Sequence, residues 1–478
     1  MRYSAFFVVL SCAWLRADEI RVYYDYVERG TLAGGKLVLD SNNPVHRAVL
    51  GLDAADAAVL GGWPVTTIVD NGSTANRIDL VILGDGYTAP ELGDYATHVA
   101  NVVGGFFAQE PLAAYASYFN VHRVDVVSNE SGVDEIDQGI FRDTALDMEY
   151  GCFNIERLLC INVAKAYDAA ASAPQVEQIL ALANSTRYGG AGYPDNNLGT
   201  VAGNNVSAIE IGLHEFGHAF ADLADEYDYA DGATYTGPEP IEPNVSIYTA
   251  AVQVSQQRKW WLWMNLPNVD TFQGAYYNQF GVYRPTFNSK MRSLNRPFEQ
   301  VNIEQFVISM YEIVSPIDDA TPSSATPLSS CTTFFVAPLA PLDHALAVQW
   351  SIDGVNVSGA TGTMFTVDDD GFVPGIHQVS VTVTDGTARV RNEAIRQALM
   401  TESRQWPINV LPRYGDVTQD GVVDLNDILC TLDGFGSFAV CADGDLSPCD
   451  GDGMIDLNDI LAQLDAFSGQ PACPDPCA

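Results

Sequence analysis

The segment "IGLHEFGHAFADLADEY", residues 211–227, decides how this chain is read, because it sets two histidines four residues apart with an acid directly after the first. On an α-helix His214 and His218 lie about 40° apart around the axis and about 6 Å apart along it. Both imidazoles can then reach one zinc ion at about 2.0 Å while Glu215 projects beside it. The apolar spacing of "VSAIEIGLHEFGHAFADL" (206–223) is that of a buried helix. With seven histidines and 61 acids in 478 residues, the pattern His-acid-any two-His is expected by chance about 0.013 times per chain. The competing reading is a core histidine pair satisfied by a nearby acid.

A catalytic zinc also requires a third protein ligand and an open position for water. Ala224 stands ten residues after His214, where one large group of zinc proteases keeps that ligand, so that pattern fails here. A straight helix would carry Asp225 about 10.5 Å beyond His218, too far to coordinate. The helix must therefore end near Asp222 and the chain turn back. Asp225 is the first choice of ligand, with Glu226 or a more distant residue as alternatives.

Outward from this helix the chain divides into several parts, as 478 residues require. Arg2, a short apolar run and Ala17 before Asp18 read as a secretory signal over 1–17, and Cys12 in "VLSC" loosely resembles a lipidation box. Residues 18–76, with "IRVYYDYVERGTLAGGKLVLD" (20–40), read as a small β domain. "RIDLVILGDGYTA" (77–89) is an apolar strand entering a Gly turn, and "APELGDYATHVANVVGGFFA" (89–108) has helical spacing, so an α/β domain runs from 77 to 314. "SPIDDATPSSATPLSS" (315–330) reads as a linker, and the alternating stretches beyond it as a β-sandwich ending near 411. The fold class expected is a multidomain α+β chain.

The tail, 412–478, repeats itself: "VVDLNDILCTLDGF" (422–435) returns as "MIDLNDILAQLDAF" (454–467). Ahead of the first helix, Asp416, Thr418, Asp420, Asp424 and Asp427 fall at side-chain positions of a calcium loop, with Gly421 for the tight turn and Val422 lending a carbonyl. In the second loop Asp450, Asp452, Asp456 and Asp459 align, but Pro448 stands where the first ligand belongs; Asp445 fills that role if "SPC" bulges outward. A solvated acidic tail is the alternative.

The formal net charge of -38 makes nucleic acid an unsuitable partner. Apart from the leader, no apolar run reaches the length of a membrane span. Export permits disulfides. Of nine cysteines, Cys152 and Cys160 suggest one local bridge, and the tail one or two more.

"HEFGHAFADLADEY" (214–227), with "LVILGDGYT" (80–88), "LANSTRYGGAG" (182–192) and "FGVYRPTFNSKMRSLNRPFEQVN" (280–302), resembles the IgA-specific metallopeptidase family M64 over about residues 20–315. The resemblance implies a zincin-like domain in which His214 and His218 bind zinc, Glu215 is catalytic and Asp225 completes the site. Asp222 stands where that motif often has Gly, and Met291 is a candidate methionine floor or a core filler. The 315–411 region resembles immunoglobulin-like or PKD-like modules. The tail resembles the paired half-EF-hands of dockerins, which implies Ca²⁺ and a cohesin-like or cell-surface partner. Together these imply a secreted or surface-attached zinc endopeptidase acting on a protein or glycoprotein. The rival is a non-catalytic surface-binding protein that keeps a zincin scaffold.

Overall fold

The computed structural model describes residues 19–28, 31–51, 62–323, 326–367 and 372–473. The expected leader over 1–17 with Cys12, and also Cys477, lie outside the described residues. Two units are present: one of residues 1–315, 340–345 and 387–399, the other of 316–339, 346–386 and 400–478.

In the first unit the strands are β1 (Glu19–Glu28), β2 (Thr31–Asp40), β3 (Val65–Val69), β4 (Ile78–Asp85) and β5 (Phe119–Val124), then the two-residue β6 (Asp134–Glu135), β7 (Glu149–Tyr150) and β8 (Leu159–Cys160), then β9 (Gln178–Ala183), β10 (Gly190–Tyr193), β11 (Leu198–Ala202), β12 (Val269–Ala275) and β13 (Asn278–Thr286). The main sheet has eight strands in the order β2-β1-β10-β11-β9-β4-β5-β3. β11, β9, β4 and β5 run parallel, and β3 and β10 are antiparallel to their neighbours. The unbroken apolar run of β4 is what a central strand buried on both faces requires, and all eight of its residues are buried.

Helices α1 (Pro44–Val49), α2 (Leu92–Phe106), α3 (Val163–Ala170), α4 (Ala208–Ala221), α5 (Ala250–Gln256), α6 (Glu299–Ile313) and α7 (Glu393–Leu399) complete this unit. Val81 and Leu83 of β4 share a core with Val163 and Ala166 of α3. Rings join α2, α4 and α6 in another layer, with Phe106–Phe216 centroids 5.5 Å apart and Phe216–Phe306 6.1 Å. The Cys152–Cys160 disulfide ties the small β6–β8 region.

Two expectations change here. Residues 18–76 do not form a β domain of their own: β1, β2 and β3 are strands of the main sheet, at its two edges. Alternation marks a strand but does not say which sheet it joins. Nor is 315–330 a bare linker, since β14 (Ile317–Thr321) and β15 (Leu328–Ser329) lie in it and pair with strands of the second unit.

That second unit adds β16 (Thr333–Pro338), β17 (Ala347–Ile352), β18 (Val355–Asn356), β19 (Met364–Thr366), β20 (Gly375–Thr384) and β21 (Thr401–Val410). They form sheets β14-β16-β19 and β15-β21-β20-β17-β18. Both sheets bury residues in one core, with Phe334 and Val336 from one and Trp350, Val381 and Ile408 from the other. Residues 340–345 and 387–399, inside the expected 315–411 module, group instead with the first unit.

In the tail each acidic loop leads into one helix, α8 (Leu425–Gly436) or α9 (Leu457–Phe467), and each begins with a reciprocal capping box, Asp424 with Asp427 and Asp456 with Asp459. Disulfides join Cys430 to Cys441 and Cys449 to Cys473. Matching positions of the two helices, Leu425, Leu429 and Leu432 and then Leu457, Leu461 and Leu464, are exposed. Among the described residues no helix is long and apolar enough to cross a membrane.

Candidate metal centre

Helix α4 ends where the geometry of its ligands demands. Asp222 adopts the left-handed conformation, φ 52° and ψ 29°, and the Leu223 N–H closes back onto Gly217 O at 3.1 Å. Asp is among the few side-chain-bearing residues that accept this conformation readily. The reversal returns Asp225 to the face of the helix that carries both histidines.

Three acceptor atoms meet there. His214 Nε2 lies 3.0 Å from Asp225 Oδ1 and 3.1 Å from His218 Nε2, and His218 Nε2 lies 3.4 Å from Asp225 Oδ1. The other ring nitrogens fix the tautomers: His214 Nδ1 donates to Lys290 O at 3.1 Å and His218 Nδ1 to Leu223 O at 2.6 Å. A carbonyl can only accept, so in each neutral ring the proton sits on Nδ1 and Nε2 presents a lone pair. Two imidazole lone pairs and a carboxylate oxygen converging in a buried space are a combination that a cation resolves. Nitrogen and carboxylate donors in this number suit a divalent ion of the zinc type. Among the described residues this is the group of His, Cys, Asp or Glu side chains whose ligand atoms all lie within 4.8 Å of one another.

The local field favours positive charge. Burial works against a charge on His214, but Asp25 and Asp225 outweigh it and raise its pKa. Burial likewise opposes the Asp225 carboxylate, yet His218 and His214 hold it well below the usual carboxylate range. Asp225 Oδ2 accepts from Tyr277 Oη at 2.5 Å, which aims Oδ1 at the histidines. Glu215 is different: it is fully buried and neither oxygen meets a donor. Burial, and then the charge of nearby Asp25, push its pKa well up.

The surroundings hold α4 close to the sheet. A Cβ at Gly192 of β10 would stand 2.6 Å from His218 Cβ, so only glycine lets this strand approach the helix. Below α4, the buried Met291 fits against Gly217, where a Cβ would meet its Sδ at 2.8 Å. Glu226, the alternative to Asp225, faces elsewhere: its carboxylate accepts from Asn244 at 3.0 Å, Asn302 at 2.9 Å and Ser289 at 2.7 Å. Asp25 and Tyr277 escaped the sequence reading, and Tyr188 entered it only within the family-like stretch at 182–192, without a chemical role. The only signal for Asp25 was an acid sharing the inward register of Tyr23 in an apolar strand.

The acidic loops of the tail do not gather in the same way; their carboxylates engage their own backbone. Asp416 accepts from the Asp420 N–H at 3.1 Å and the Gly421 N–H at 3.0 Å. Asp445 does the same for Asp452 at 3.0 Å and Gly453 at 2.7 Å, so it, and not Pro448, is the counterpart of Asp416. Asp427 accepts from Thr418 N at 2.9 Å and Asp459 from Leu446 N at 2.7 Å. Asp420 and Asp452 each accept from the amide two residues on, and Asp424 and Asp456 cap their helices.

Residues 66–268 match the family described as IgA Peptidase M64. The match supports that family, and with it a peptidase that acts on protein, for this part of the chain. It begins after β2 and ends just before β12, so it is narrower than the 20–315 resemblance and leaves out Met291 and Tyr277. No curated protein matches the chain.

Proposed function

We propose that this protein is a secreted, zinc-dependent endopeptidase that hydrolyses peptide bonds in proteins or glycoproteins. The observation that carries the reading is the convergence of His214 Nε2, His218 Nε2 and Asp225 Oδ1 beside a Glu215 carboxyl whose oxygens have no donor. His214, His218 and Asp225 would hold the zinc. When bound, the ion supplies Lewis acidity, polarising a carbonyl and lowering the pKa of a water. Glu215 accepts a proton at its carboxylate and returns it to the leaving amine nitrogen. The disulfides are in keeping with export to an oxidising compartment.

The tail is proposed as a dockerin-like module that binds calcium through Asp416, Thr418, Asp420, Val422, Asp424 and Asp427, and through Asp445, Asp450, Asp452, Asp456 and Asp459. The matching amide pattern of Asp416 and Asp445 supports two equivalent loops. Its exposed apolar helix positions suit attachment to a cohesin-like or surface partner.

The rival, a surface-binding protein without turnover, draws on one observation: His214, Glu215, His218 and Asp225 are each 0% exposed. Metal analysis with casein hydrolysis, using Glu215→Ala as the paired control, decides between them. One zinc per chain with hydrolysis lost in the variant supports the peptidase. Zinc without turnover in either protein refutes it.

A further inference from the structure

A peptidase acting on proteins must admit an extended chain to its metal, yet nothing reaches this cradle from solvent. The β1–β2 hairpin lies over it. Tyr23 stacks flat on His218, with ring centroids 4.2 Å apart and planes 9° from parallel. Two residues on, at the same register, Asp25 faces Glu215 and accepts from Tyr188 Oη at 2.9 Å. The returning strand is held as well: the Gly34 N–H donates to Tyr229 Oη at 2.9 Å and Lys36 pairs with Glu242 at 2.6 Å. Arg21 reaches Asp195 at 2.7 Å and Asp222 at 2.6 Å.

The attachment is narrow where a structural strand would be broad. β1 and β2 pair through ten residues each, but β1 meets β10 through the single register pair Tyr23↔Gly192. The remaining holds are side-chain contacts, some ionic and some apolar, with Val22 and Leu39 packed into the core that holds Val81 and Ile179. β10 is also the strand lying against Glu215 and His218, so its outer edge is where an extended peptide would add to the sheet beside the cradle. β1 already occupies that edge, and it presents a carboxylate to Glu215 in place of a scissile bond. The peptidase-family match starts at residue 66, beyond the hairpin.

Resting on the peptidase reading, we propose that the hairpin Glu19–Asp40 is a built-in inhibitor: it fills the substrate edge of β10, seals the metal cradle with Tyr23 and Asp25, and must leave before a protein substrate can enter.

The test uses the zinc-loaded full chain with a cleavage site for a specific protease introduced between Gly51 and Gly62, alone and combined with Arg21→Ala and Lys36→Ala. Two rates are followed before and after cutting: zinc transfer to a chromogenic chelator, and turnover of a quenched fluorescent peptide. Both should rise at least tenfold once mass spectrometry shows residues 19–51 gone, and fall again when a synthetic peptide of residues 19–51 is added. Unchanged zinc transfer after the fragment has left overturns the proposal. So does a fragment that stays bound after cutting in both backgrounds, because it is then a structural part of the sheet. Equal turnover before and after its departure also overturns the inhibitor while leaving the peptidase standing. Faster zinc transfer with no turnover at all supports the cover and refutes the peptidase. If the doubly substituted chain does not fold, the cut parent chain gives the same readings.

Discussion

Replacing Tyr277 by Phe removes one hydroxyl from the far side of the cradle and should weaken zinc binding without disturbing the fold. The phenol donates at 2.5 Å to Asp225 Oδ2; Asp225 is buried and Tyr277 half-buried. Burial, and next the Asp225 charge, keep the Tyr277 pKa well above its usual value, so the hydroxyl remains a donor throughout the assay range. A hydrogen bond to a charged group contributes about 1.5–3 kcal/mol, and its loss leaves Oδ2 buried without a donor. At about 1.4 kcal/mol per decade this amounts to a roughly 10–100-fold rise in the zinc dissociation constant. Competition titration against a chelator of known affinity measures it, with thermal unfolding of the zinc-free proteins as the control for fold. A dissociation constant within about threefold of the parent, at equal stability, would refute the claim that Tyr277 positions Asp225.

Gly192→Ala would force β10 and α4 apart, because the new methyl group stands 2.6 Å from His218 Cβ and 3.0 Å from Glu215 O; urea unfolding should show a loss of about 1–3 kcal/mol. Gly104→Ala, in the last turn of α2 with nothing within 4 Å of the new Cβ, should instead gain up to about 1 kcal/mol. Burial raises the Glu242 pKa, but Lys36 outweighs it and holds the carboxyl below its ordinary 4.5. A carboxylate with a lowered folded-state pKa stabilises above the ordinary value and loses that contribution as pH falls through the lowered one. Lys36→Met should therefore cost roughly 3–5 kcal/mol at neutral pH, with the difference from the parent narrowing below pH 4.5; a constant difference down to about pH 3 would contradict the pairing. In the tail, calorimetric titration should register two calcium ions per chain and one in Asp445→Ala; two in that variant would remove Asp445 from the second site.

What could be read from the sequence was whatever is local. The His214–His218 spacing and the neighbouring Glu215 belong to one helix, whose period is fixed by its backbone. The turn at Asp222 followed from the reach Asp225 needs, and the positive φ there is the backbone expression of that requirement. The duplicated tail was equally accessible, since each loop and helix closes on itself, although the register puts Pro448 at the first position of the second loop and Asp445 entered only through a bulge of "SPC". Partners far along the chain left no such mark. Tyr277 lies 52 residues beyond Asp225, and Tyr188 163 residues beyond Asp25. The N-terminal strands announced themselves by alternation, but the edge they join is chosen by tertiary packing. The Pro- and Ser-rich stretch after 315 resembled a linker because an edge strand such as β14, with exposed Asp318 and Asp319, needs little apolar content.

The carbonyl that sets the His214 tautomer belongs to Lys290, 76 residues further on. Synthesis from the N-terminus therefore completes α4, and the Leu223 carbonyl that orients His218, long before the atom that orients the His214 imidazole exists. Contacts of such sequence separation close late, after local elements have formed. Through that interval the emerging chain carries both histidines but lacks the carbonyl that would aim His214 beside His218. On the proposed peptidase reading, a competent metal site would then arrive only with a nearly finished fold.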